Sequence, residues 1–246
     1  VQRGKEQFTT YEDVERALDA FVTEAFFAAP FMTSLQSGRY QPHQVRHFAV
    51  QYSYYSRHFP RVLGAAISAM APLADWWVPL ADNLWDEAGR GVPGRSHEEL
   101  YKTFLFSVYP EVPLDERGVP LQPMSPAVER AVDTFIRFFQ NATPLEAMAA
   151  VGLGSEMFAG RVMKAIGEGF TRPEYNRERS LDVRFWEVHA DEHEPRHYQL
   201  CRDILSRYTE PGELALMFRV GRDIAKSEAD MYQGLHEEML ALPQEG

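Results

Sequence analysis

Apolar residues recur along this chain at the three- and four-residue spacing of helices, and no alternating run of useful length suggests a strand. Val14, Leu18, Phe21 and Val22 follow Thr10 at helical spacing, and Asp13 completes a cap-like start. Pro42 opens a long helix running to about Met70, with Phe48, Tyr52, Tyr55, Phe59 and Leu63 along one side. Pro60 is expected to kink or offset that helix rather than end it. A helix from about Asp75 is broken at Gly89, Gly91, Pro93 and Gly94. Ser96 with Glu99 forms a capping box for the next. Pro110, Pro113, Pro120 and Pro123 mark the longest loop, over 109–125, a lid or a surface excursion. Ser125-Pro126 and Thr143-Pro144-Leu145-Glu146 start two more helices, and helical patterns run over roughly 180–207 and 211–240. No internal repeat and no linker divides the chain. The pattern predicts an all-α, single-domain helical bundle over residues 1–246.

Composition narrows the function without naming it. Apolar residues make up 45% and charged residues 25%, as in an ordinary globular protein. A net charge of -11 argues against a nucleic-acid partner, which needs a basic face. Cys201 stands alone, so no disulfide can form within the chain and a cytoplasmic home is expected. Val1 to Thr10 carry no apolar signal-peptide core, and no stretch of about 18 apolar residues could span a membrane.

Three clusters could carry chemistry. His189, His193 and His197 fall within nine residues, and His189 and His193 share a helical face. Imidazole suits iron and zinc; the structural alternative is a solvent-facing turn. Glu156 sits on a helix that is apolar or small on nearly every side from Leu145 to Met163. A buried carboxylate needs a cation, supplied by a metal or by Arg161 or Lys164. Glu87 ends one helix and His97 begins the next, so a sharp turn between them could bring both to one site. Carboxylates and histidines on separate helices of one bundle are how such bundles build metal sites. Mixed carboxylate and imidazole ligands favour iron or manganese over zinc. Tyr52, Tyr54 and Tyr55 could neighbour the site, and Arg57, Arg61 or Lys164 could hold a carboxylate, though packing and pairing explain each as well.

The order of Glu87 in Asn83-Leu84-Trp85-Asp86-Glu87, His97, Glu156 on its apolar helix and His189 after Phe185-Trp186 resembles the haem-oxygenase-like diiron oxidases. These belong to the superfamily of thiaminase-type and pyrroloquinoline-quinone-synthase proteins. The resemblance covers nearly the whole chain, including Phe48-Ala-Val-Gln-Tyr-Ser-Tyr-Tyr and Phe59-Pro60-Arg61. It implies a haem-oxygenase-like bundle of about seven helices and a pair of iron ions, manganese being compatible. It also implies O2 as co-substrate and oxidation of a small molecule, with an amine or amino-acid derivative favoured. The implied ligands are Glu87, His97, Glu156, His189, His193 and His197, with Glu194 in reserve. A homodimer is compatible; neither nucleic acid nor membrane is expected as a partner.

The chain departs from that family on the histidine helix. The family pattern places an aspartate four residues after the first histidine and a second histidine seven after it. Here position 193 is histidine and the closing histidine is His197, one residue late. An ideal helix would set His189 and His197 roughly 12 Å apart along its axis. Either His193 takes the place of the acid, or a one-residue bulge near Pro195 restores the register and brings Glu194 in as the acid. The rival functions are a cofactorless or thiaminase-like enzyme of the same fold, the latter needing a nucleophilic cysteine where Cys201 reads as a packed one, and a non-catalytic helical binding protein. Haem oxygenase itself would need a histidine on the first helix, and the first here is His43.

Overall fold

The computed structural model describes residues 8–190 and 194–243, with the side chains of 194 and 195 left undescribed. Among the described residues the only β pairing is an isolated antiparallel bridge between Leu114 and Pro120. Eleven α-helical segments carry the rest: α1 Tyr11–Val22, α2 Pro30–Gln36, α3 Pro42–Met70, α4 Ala74–Glu87, α5 His97–Val108, α6 Pro126–Phe139, α7 Pro144–Val151, α8 Met157–Phe170, α9 Arg184–Val188, α10 Glu194–Leu205 and α11 Pro211–Ala241. Several are consecutive pieces of one rod. A π-helical turn at Gly152–Glu156 joins α7 to α8, and another at Thr23–Phe27 extends α1. The long rods make the all-α bundle that the periodicity predicts. No described helix is long and apolar enough to cross a membrane.

The local signals act where they were read. Thr10, Ser96 and Thr143 each cap a helix whose third residue, Asp13, Glu99 or Glu146, reaches back to the cap. Each such cap is worth about 1 kcal/mol. α3 runs through Pro60 without ending. Two features differ from expectation, and a third resolves an alternative left open. Residues 30–36 form a short helix, α2, started by Pro30 at its first position. The expected helix over 180–207 is split, with α9 passing into π-helical winding at His189 and Ala190 before α10 begins. The 109–125 loop is pinned to α3: Tyr54 donates to the carbonyls of Pro120 (2.7 Å) and Gln122 (2.6 Å), and Arg57 to that of Gly118 (2.9 Å). It is a surface excursion, and Tyr54 is one of its anchors.

Two apolar clusters fill the bundle. One is aromatic, built from Phe48, Tyr52, Tyr101, Phe104, Phe185 and Trp186. The other is mainly aliphatic, with Leu18, Leu63, Met148, Leu153 and Met217. α3 packs on α4, α5 and α6, while α11 packs on α1, α6, α7 and the π-helical turn at 152–156. α11 can lie against that turn because both carry glycine at the crossing. A Cβ on Gly154 would sit 2.7 Å from Ile224 Cβ, and one on Gly221 would sit 2.9 Å from Leu153 Cβ.

Candidate metal centre

The link between α4 and α5 builds the first half of the site. Gly89 (φ +64), Arg90 (φ 51) and Gly91 (φ 73) are left-handed, and the chain doubles back there. A Cβ on Gly89 would lie 2.4 Å from the carbonyl carbon of Arg95, so only glycine permits this closeness. The turn sets Glu87, the last residue of α4, opposite His97, the first of α5, with Oε2 2.9 Å from Nδ1. α9 delivers His189, whose Nε2 lies 2.9 Å from the same nitrogen. All three side chains are buried, and one ligand atom from each lies within 4.8 Å of the others. Metal bonds of about 2.1 Å put neighbouring ligands roughly 3 Å apart and opposite ones roughly 4.2 Å apart. The three atoms therefore fit around one cation.

Glu156 and His197 stand together in the second half. The π-helical turn at 152–156 delivers Glu156, and such turns inside helices recur at functional sites. Asn83 Nδ2 donates to Glu156 Oε1 (2.7 Å), and His197 Nδ1 faces Oε2 at 3.7 Å. His197 Nε2 is 3.0 Å from Asp86 Oδ2. Asp86 also accepts from Arg196 (2.5 Å) and Arg90 (2.6 Å), and both arginines reach Asp82 as well. Neither cation proposed from sequence to neutralise Glu156 does so. Arg161 pairs with Asp19 and lies over the Phe27 ring, and Lys164 is exposed.

The histidine chemistry suits metal ligation. A carbonyl can only accept, so neutral His189 donates Nδ1–H to Phe185 O (2.6 Å) and turns its Nε2 lone pair inward. Asp86 does the same for His197, taking Nε2–H and leaving Nδ1 toward Glu156. Ligating histidines characteristically have their second nitrogen tied down in this way. Burial alone would lower the pKa of His197, but hydrogen bonds and charge from Glu156, Asp86 and Glu87 outweigh it and raise it above the ordinary value. Burial pushes the Asp86 carboxyl up, and hydrogen bonds from His197 and Arg90 more than reverse that.

His193 lies outside the described residues, and Glu194 opens α10 with its side chain undescribed. The extra residue between His189 and His197 coincides with π-helical winding at 189–190, upstream of Pro195 where a bulge was expected. Sequence reasoning missed Asn83, Asp86 and Glu228. Asn83, Asp86 and Glu87 are at i, i+3 and i+4 on α4, a shared-face signal that could have pointed to the first two. Glu228, on α11, is 4% exposed. Burial, with the charge of Glu156 adding to it and a hydrogen bond with Tyr55 working the other way, pushes its carboxyl up to about 8.

Glu228 lines, together with His97, His189 and Glu87, a cavity of about 30 Å³, room for a water or two, or a diatomic gas. Ser56 and Glu87 line both this cavity and an outer pocket of about 400 Å³ beside Trp85 and Arg57. Cys201 is fully buried in van der Waals contact range of Gly152, and burial, with the charge of Glu156, holds its thiol well above the usual range. It is a packing residue and poorly suited to be a thiolate nucleophile.

A family model described as an iron-containing redox enzyme matches residues 46–221, a span that includes Glu87, His97, Glu156, His189 and His197. Similar solved structures share the fold. A CADD-like protein of unknown function from Nostoc punctiforme aligns with a TM-score of 0.72 at 17% identity, covering 94% of this chain and 99% of the other. A TenA family transcription regulator from a Silicibacter species aligns at 0.68 and 12% identity, covering 94% and 98%. A domain of unknown function with a heme oxygenase-like fold from Shewanella denitrificans aligns at 0.65 and 14% identity, covering 92% and 90%. No curated protein sequence matches the chain.

Proposed function

Because the chain belongs to the family of iron-containing redox enzymes, we propose that it is a non-haem diiron oxidase or oxygenase that uses O2 on a small amine- or amino-acid-derived molecule. The observation that carries this reading is the burial of two adjoining donor sets on separate helices. Glu87, His97 and His189 form one, and Glu156 with His197 the other. The first set would hold one ion. Glu156 and His197 would hold the second, completed by His193 or by Glu194.

Bound ferrous ions supply the electrons that reduce O2. The chain's part is to set the ligands and exclude bulk water. Phe185 O holds the Nδ1 side of His189 and Asp86 holds the Nε2 side of His197, so the other ring nitrogen of each is turned toward the candidate site. Glu87 and Glu156 are buried carboxyl groups, and among the described residues no Lys or Arg lines the cavity beside Glu87. That arrangement favours cations and costs free energy without one. The cavity admits a diatomic molecule beside the three-ligand set, while a larger organic molecule has its space in the outer pocket that shares Ser56 and Glu87.

The test is metal analysis of protein produced with added iron, followed by O2-uptake measurements with a panel of amines and amino acids. About two iron ions per chain are expected, falling sharply in Glu156→Ala. Fewer than about 0.2 iron or manganese per chain, unchanged in Glu156→Ala, would remove the proposal.

A further inference from the structure

α4 carries two kinds of residue on two faces. Asn83, Asp86 and Glu87 are buried and belong to the metal centre and its supports, whereas Ala81, Leu84 and Trp85, with Ala88 just past the helix end, line a groove. Ser56 and Pro60, one turn apart on α3, form its other bank. Trp85 is 49% exposed there. The far edge of its indole rests on the left-handed turn that sets Glu87 opposite His97, since a Cβ on Gly91 would lie 3.0 Å from Trp85 Cη2. An indole held in place on one edge and half open to water is a surface that another flat group can cover.

Size decides which part of a molecule can lie where. The inner cavity beside the metal-ligand set holds about 30 Å³, whereas a cavity that takes a benzene ring has about 150 Å³. A ring is therefore kept out of it. The groove holds about 400 Å³, in the range of small-molecule sites, and Ser56 and Glu87 belong to the walls of both spaces. A larger space of about 540 Å³ beside Tyr109 and Tyr175 shares no described lining residue with the inner cavity.

Charge decides what kind of group the groove accepts. Arg57 and Glu98, both on its wall, pair with each other at 3.1 Å. Arg57 also donates to the carbonyl of Gly118 (2.9 Å), and Lys102 reaches the same Glu98 oxygen (2.9 Å). Glu87 lies 2.9 Å from His97. Each charged side chain of the wall thus already has a partner. A charged ligand group would have to break one of these pairs or stay unmatched beside apolar carbon. An uncharged ring meets Trp85, Leu84 and Pro60 while every pair stays intact, and it gains both area burial and ring contact.

We propose that the groove between α3 and α4 seats an uncharged aromatic ring of the substrate, with Trp85 as the specificity-determining residue and the reacting end of the molecule directed past Ser56 toward Glu87. The substrate class narrows to amines or amino-acid derivatives that carry such a ring. The inference rests on the functional reading above for the word substrate; the seat for a ring is measurable with or without iron.

The experiment titrates benzyl alcohol and benzenesulfonate into the purified full chain by calorimetry, with iron content determined on the same samples. Benzyl alcohol should bind at least about fivefold more tightly than the anion. Trp85→Ala should weaken benzyl alcohol at least about tenfold, and Trp85→Phe, which keeps a ring, by less than about threefold. Benzenesulfonate binding as tightly as benzyl alcohol in the unaltered protein would overturn the proposal without any variant, so a Trp85→Ala chain that fails to fold leaves it testable. Undiminished binding in Trp85→Ala would overturn it too, since the ring would then lie elsewhere. Equal losses in Trp85→Phe and Trp85→Ala would overturn the role given to the indole. A chain that holds no iron but keeps the Trp85-dependent binding would refute the diiron reading and leave this one standing; an iron-loaded chain without that binding would do the reverse.

Discussion

Replacing Asp86 by asparagine separates two roles that the structure gives one carboxylate. Asp86 accepts from Arg196 at 2.5 Å, Arg90 at 2.6 Å and His197 at 3.0 Å. Hydrogen bonds to charged groups contribute about 1.5–3 kcal/mol each when shielded from water. Both arginine side chains are nearly half exposed, at 46% and 45%, so the two bonds they make are discounted for solvent screening. The expected loss of stability is about 2–3 kcal/mol, or a fall in Tm of about 4–12 °C for a chain of this size. The second role is orientation of His197, and loss of such a partner typically lowers metal affinity about 10- to 100-fold. Asp82→Asn is the control, because Asp82 pairs with the same two arginines and none of its bonds goes to His197. Urea denaturation gives the stability term, and competition with a chelator gives the metal term. Asp82→Asn should cost about 1 kcal/mol or less and leave metal affinity alone. Equal loss of metal in the two variants would refute the reasoning, since the effect would then come from the arginine cluster and not from the histidine ring.

Gly89→Ala should destabilise the chain by about 2–4 kcal/mol, the sum of a left-handed residue and a Cβ forced against the Arg95–Ser96 backbone. It should also weaken metal binding at least about tenfold by parting Glu87 from His97; unchanged denaturation and metal content would contradict the role given to this turn. Tyr40 Oη is 2.7 Å from His236 Nδ1, and burial lowers the pKa of His236 below the ordinary value. Between about 6.5 and that lowered value the unfolded chain binds more protons, so this contribution is present above the window and is lost as pH falls through it. Urea midpoints at about pH 7.5 and about pH 5.5 should differ more in the unaltered protein than in His236→Gln, and an NMR titration of His236 centred above 6.5 would contradict the sign.

What the sequence determined by itself is what neighbours in the chain decide. Thr10, Ser96 and Thr143 cap their helices through atoms three residues away, and the period of apolar residues marks α3 and α11 almost to their ends. Glu87 and His97 were legible for the same reason, being ten residues apart across a glycine-rich break that can only be a turn. Tertiary structure decided the rest. α2 has seven residues, too few for a period to stand out, and depends on its packing against α8. The π-helical turn before Glu156 leaves no residue signature, and it lies where Gly154 lets α11 approach. Arg161 could have paired with Glu156 on spacing alone, and only packing shows it beside Asp19. Glu228 looks like an ordinary surface acid in the sequence, and the spacing that sets Asp86 on one face of α4 with Asn83 does not show that His197 is its partner. Burial, and the partner a charge finds there, are properties of chain segments brought together from more than a hundred residues apart, and no local window contains them.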